Sequence, residues 1–147
     1  MNGDQQAEGV VIVRGAGGGL AQEIIAGSHR LVSDEPISEG GTDTGPTPYD
    51  LLLAALGSCT SMTLTLYAKR KQWPFERVTV RLRHSRVHGE DCATCETADA
   101  KLTVIEREIE VEGALDKEQR DRLLAIANRC PIHLTLTSRI EIRTKLH

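Results

Sequence analysis

The chain has 147 residues, a formal charge of −3 and only four aromatic residues, Tyr49, Tyr67, Trp73 and Phe75. That length suits one domain, 1–147, whose core must be built from Leu, Ile, Val and Ala. The acidic balance excludes general nucleic-acid binding, which needs a concentrated basic face. No charged-then-apolar leader opens the chain, and its longest apolar run, Leu51 to Gly57, is too short to span a bilayer. The expectation is a cytoplasmic protein with no membrane or nucleic-acid partner. In that compartment its four cysteines are reduced, catalytic or metal-bound, not a disulfide scaffold.

Residues 1–8 are polar and read as a flexible end. Val10 to Val13 has strand chemistry, and the glycine run at 15–19 reads as a turn or loop. It lacks the Lys-Ser/Thr ending of a phosphate loop and leads into strands, not a helix. Gln22 to Ile25 and Ser28 to Val32 follow as short strands. Asp34 to Pro46 is rich in turn formers and reads as an exposed connection.

Thr47 to Lys71 then forms the central element. Thr47 is the expected N-cap, Pro48 the first helical residue and Asp50 the partner of a capping box. Lys69, Arg70 and Lys71 sit where the helix dipole favours cations. Its leucines point in every direction of a 3.6-residue period, which calls for a helix wrapped by the rest of the domain. Trp73-Pro74 ends it.

Val78 to Val87 and Lys101 to Val111 read as two long strands that could pair as a hairpin. Gly113 breaks the second. Asp116 and Gln119 mark the capped start of an amphipathic helix through Leu123, Leu124, Ile126 and Ala127. Cys130-Pro131 stops it, His133 to Leu136 reads as one more turn, and Arg139 to Lys145 as a last alternating strand. Strands, central helix, two strands, helix and strand together make an α+β plan, with antiparallel sheet wrapped around a buried central helix.

Cys59 lies within the central helix and Cys130 at the end of the second. One reading makes each a small buried apolar residue. The other makes them a nucleophile and a resolving thiol that cycle through a sulfenic acid and a disulfide. That chemistry needs a thiolate, and the dipole of the central helix cannot supply it. Cys59 is roughly 16 Å from the helix start at about 1.5 Å per residue, and the dipole effect fades within one turn. A cation brought by tertiary structure is required, with Arg14, Arg30 and Arg129 as candidates.

The segments GPTPYDLLLAALGSCTSMTLTLYAKRKQW, HRLVSDEP and IANRCPIHLTL together resemble the OsmC/Ohr family of osmotically inducible and organic-hydroperoxide-resistance proteins. The resemblance covers about Val10 to Leu146. It implies an intertwined homodimer, two thiols meeting near the dimer interface, and thiol-dependent reduction of organic hydroperoxides by an external dithiol without a bound cofactor. By position it makes Cys59 the attacking cysteine and Cys130 the resolving one.

Two departures place the chain nearer the OsmC-like redox proteins than the peroxidase branch. Tyr49 stands where that branch has a glutamate, with Asp50 one step later. The glycine run stands where it has an arginine. Asp50 facing Arg14 or Arg30 is the candidate replacement, beside its plainer role in capping. The alternative function is a non-catalytic dimer that binds an apolar ligand or senses oxidation through its thiols.

His84, His88, Cys92 and Cys95 form an H-x3-H-x3-C-x2-C pattern that invites a zinc reading. On one extended strand the two histidines would stand about 13 Å apart, so only His88, Cys92 and Cys95 could share an ion. The plain reading is a polar hairpin loop.

Overall fold

The computed structural model describes residues 8–88 and 101–147. The chain forms two compact units, 1–52 and 53–147.

The first unit is a three-stranded antiparallel sheet in the order β1 (Val11–Gly15), β2 (Gln22–Ala26), β3 (His29–Ser33). The glycine run joins β1 to β2, as its turn chemistry requires. The connection after β3 is more ordered than its composition suggests, because it folds around one carboxylate. Asp34 is 2 % exposed. It accepts hydrogen bonds from the backbone N–H of Glu35, Thr42 and Thr44 and from the hydroxyls of Thr42 and Thr44. The two hydroxyls and the Glu35 amide outweigh burial and hold its carboxyl well below the usual carboxylate range.

Helix α1 (Pro48–Lys71) starts as its sequence requires. Thr47 Oγ1 accepts from Asp50 N at 3.1 Å, and Asp50 Oδ2 accepts from Thr47 N at 3.0 Å. At its far end Gln72 adopts a left-handed φ of 56°. This lets Trp73 N reach back to Ala68 O at 3.0 Å and close the last turn before Pro74.

The second unit holds most of α1, a long hairpin and two further helices. Strands β4 (Arg77–His88) and β5 (Lys101–Glu112) pair antiparallel from Arg77↔Glu112 to His88↔Lys101. Gly113 ends β5 at φ 142°, where a Cβ would come within 2.1 Å of Pro74 O. Helix α2 (Lys117–Ala127) carries the expected Asp116–Gln119 capping box, and α3 (Pro131–Leu136) is the extra turn. The core gathers Leu64 of α1 with Leu123, Ile126 and Ala127 of α2, flanked by Trp73, Phe75, Val78 and Ile109.

Two expectations change. Residues 139–147 form no strand. A strand is held by a neighbour's backbone hydrogen bonds, and no strand among the described residues pairs with this segment. Ile140 and Ile142 are 55 % and 85 % exposed as a result. The central helix buries one stripe, Leu56, Gly57, Thr60, Leu64 and Ala68, instead of its whole circumference. Met62 and Leu66 remain 64 % and 61 % exposed, because a single chain covers one side of it. By length and composition α1 would also suit a membrane span, but its packed stripe is that of a core helix.

Candidate functional site

The second unit brings Cys59 and Cys130 next to each other. Cys59 is half-buried on α1, and Cys130 is fully buried. Cys130 is the N-cap of α3. Its Sγ accepts from His133 N at 3.3 Å, with Pro131 at the first helical position. The sequence Cys-Pro-Ile-His therefore works as a helix start, in which a sulfur does what a Ser or Asp oxygen usually does.

Thr60, one residue after Cys59, is buried with its hydroxyl 3.7 Å from Cys130 Sγ and 2.7 Å from Leu56 O. Arg107 of β5 donates from Nη1 to Thr60 Oγ1 at 3.0 Å. From Nη2 it donates to Asn128 Oδ1 at 3.0 Å and to His133 Nδ1 at 3.2 Å. A guanidinium cannot accept, so Nδ1 is the acceptor and a neutral His133 carries its proton on Nε2. One cation thus braces both groups that hold Cys130.

Burial pushes the Cys130 thiol up. The His133 amide, the Thr60 hydroxyl, the Cys59 thiol and the Arg107 charge together outweigh it, so its pKa lies below the ordinary thiol value. The arrangement can hold a thiolate at Cys130 with a thiol beside it. Two sulfurs so placed can form a disulfide, move a proton between them, or both.

The cation in this site acts on Cys130, whereas the expected one was to lie beside Cys59. Arg107 was not among Arg14, Arg30 and Arg129, although the sequence carries its signal. On one face of β5, Ile105, Arg107 and Ile109 alternate with Glu106 and Glu108 on the other, so a charge interrupts an apolar row. Arg30 donates to Glu23 across the first unit's sheet, and Asp50 is engaged in the helix cap. The Cys92 and Cys95 part of the His88, Cys92, Cys95 set lies outside the described residues.

Residues 41–145 match the family model described as OsmC-like protein. The chain belongs to the OsmC-like family. Solved structures share its fold at low sequence identity. An OsmC-like protein from Mycoplasma pneumoniae has a TM-score of 0.65 at 19 % identity, over 86 % of this chain and 84 % of that one. An organic hydroperoxide resistance protein OsmC from Legionella pneumophila has a TM-score of 0.62 at 20 % identity, over 87 % and 88 %. The organic hydroperoxide resistance protein OhrB of Bacillus subtilis has a TM-score of 0.59 at 19 % identity, over 87 % and 89 %. No curated protein matches the sequence. These OsmC-like relatives establish the α+β fold with its antiparallel sheets and central helix.

Proposed function

We propose that this OsmC-like protein reduces organic hydroperoxides through a two-thiol cycle. The carrying observation is the adjacency of Cys59 and Cys130, with Cys130 surrounded by donors that favour its anion. Cys59 is the more exposed sulfur and meets the substrate. Its proton passes to the Cys130 thiolate beside it, leaving the Cys59 anion. That anion attacks the distal oxygen of ROOH, the O–O bond breaks, and the alkoxide takes up a proton and leaves as ROH. Cys59 becomes a sulfenic acid. Cys130, again deprotonated, attacks that sulfur, and hydroxide leaves to become water as the disulfide forms. The two thiols supply the two electrons, and an external dithiol restores them as it is itself oxidised.

The names of the Legionella and Bacillus relatives support a role in hydroperoxide defence. Exposed Met62, Leu66, Ile140 and Ile142 support a homodimer, since a second copy would cover the open side of α1 and give residues 139–145 a strand to pair with. The cytoplasm, where dithiol reductants are available, is the proposed compartment.

A second reading, a non-catalytic dimer that binds an apolar ligand or senses oxidation, is favoured by the roles of Asp50 and Arg30. Both are committed to structural partners, Thr47 and Glu23. Stopped-flow with an alkyl hydroperoxide and a dithiol separates the two. The catalytic reading expects turnover by the wild type and none by Cys59→Ser. An inactive wild type rejects it.

A further inference from the structure

We propose that Tyr67 is an oxidative modification site, the tyrosine of this chain that nitrogen dioxide converts to 3-nitrotyrosine. The inference goes beyond the hydroperoxide cycle and uses none of its residues. Tyr67 is half-buried near the end of α1 and lines a groove of about 530 Å³ shared with Trp73 and one side of α2. Its phenol oxygen accepts from Arg122 Nε at 3.0 Å. Arg122 Cζ and, one helical turn beyond Tyr67, Lys71 Nζ each lie 5.8 Å from the ring centre. Trp73 meets the ring edge to face, with centroids 5.5 Å apart and planes at 75°. Cations from two helices thus converge on one phenol that a small molecule can reach through the groove.

The carboxylates of the groove are engaged elsewhere or leave the phenol alone. Asp116 belongs to the α2 capping box and Asp121 to an ion pair with Lys117, and neither they nor Glu118 bonds to Tyr67. The Arg122 hydrogen bond, with the charges of Arg122, Lys71 and Arg129, outweighs burial and holds the phenol below its ordinary value of 10.0. Nitration runs through the phenolate, which gives up an electron more readily than the phenol. The phenol proton passes to solvent, one nitrogen dioxide takes an electron and becomes nitrite, and a tyrosyl radical remains. A second nitrogen dioxide bonds to the ring carbon beside the oxygen, and the proton on that carbon leaves as the ring regains its aromaticity. Arg122 stays as the partner of the nitrophenolate.

The chain has one other tyrosine, Tyr49, and it is the more exposed of the two at 39 %. Exposure alone therefore favours Tyr49, whereas the cations favour Tyr67. The test treats the wild type with tetranitromethane, which takes an electron from a phenolate and releases nitrogen dioxide, and maps the nitrated peptides by mass spectrometry. Tyr67 should be nitrated at least about threefold faster than Tyr49, and peroxynitrite, a second source of nitrogen dioxide, should give the same order. Arg122→Met and Lys71→Met, each checked for folding by circular dichroism, should lose part of that preference, and Arg122→Lys should keep more of it than Arg122→Met. Cys59→Ser should show the wild-type order, so failure of the hydroperoxide reading leaves this result standing, and the reverse also holds. Equal or faster nitration of Tyr49 by either reagent, or a Tyr67 preference untouched by both methionine variants, would overturn the proposal. If Arg122→Met does not fold, the wild-type order and Lys71→Met still decide it.

Discussion

The Thr60 hydroxyl lies 3.7 Å from Cys130 Sγ although 70 residues of chain separate them. The same oxygen accepts from Arg107 at 3.0 Å. A threonine on the central helix thereby joins the buried thiol to the guanidinium that interrupts the apolar row of β5.

Thr60→Val keeps the shape and removes this junction. Arg107 loses an acceptor and Cys130 its hydroxyl partner, so the variant should be less stable by about 1–3 kcal/mol. The Cys130 pKa should rise. Ultraviolet titration of the thiolate in a background with Cys59, Cys92 and Cys95 all replaced by Ser measures the second effect, and denaturant melts measure the first.

The lowered Cys130 pKa also makes stability depend on pH. Below the folded value both states carry the proton and the group contributes nothing. As pH rises from there toward the ordinary thiol value of 9.0, the folded state releases its proton first and stability increases; beyond that it is level. Cys130→Ala should remove this alkaline gain, which melts taken across that range would show.

Asp34 acts in the acid range. Its carboxyl is held low by the Thr42 and Thr44 hydroxyls and the Glu35 amide. Its contribution is therefore fully present above the ordinary value of 3.8 and is lost as pH falls through the folded value. Asp34→Asn should lower Tm at neutral pH and flatten the fall of Tm on acidification. An unchanged acid profile would assign that fall to other carboxylates.

At Gly57, on the buried stripe of α1, the helix runs close to the hairpin. A Cβ there would sit 2.7 Å from Leu82 Cδ1. Gly57→Ala pushes only the tip of a leucine, and the gain in helix propensity offsets part of that strain. Gly57→Leu should cost about 1–3 kcal/mol through overpacking. Thermal melts of the pair should separate clearly.

Much of the fold was legible in local chemistry. Thr47-Pro48-Asp50 and Asp116-Gln119 each specify a helix start through contacts three residues apart, and the hairpin strands show their alternation directly. The two cysteines stood out because one interrupts an apolar helix and the other precedes a proline. Arg107 shows in the sequence only as a charge in an apolar row; its role was not legible, because it comes from Thr60, Asn128 and His133, which lie on other elements and meet it only in the folded chain. Residues 139–145 have a strand's alternation, but pattern cannot supply the neighbour a strand requires. Asp34 looked like one turn residue among many, since nothing in its sequence neighbourhood says that five donors converge on it.

The proposed cycle rests on Cys59 and Cys130 being able to bond to each other. Mass spectrometry of the protein after one equivalent of an alkyl hydroperoxide, with thiols trapped and peptides mapped, tests this directly. The expected product has lost two hydrogens and yields a peptide pair joined through Cys59 and Cys130. Recovery of both as free thiols, or of Cys59 as sulfinic acid with Cys130 still free, would contradict it.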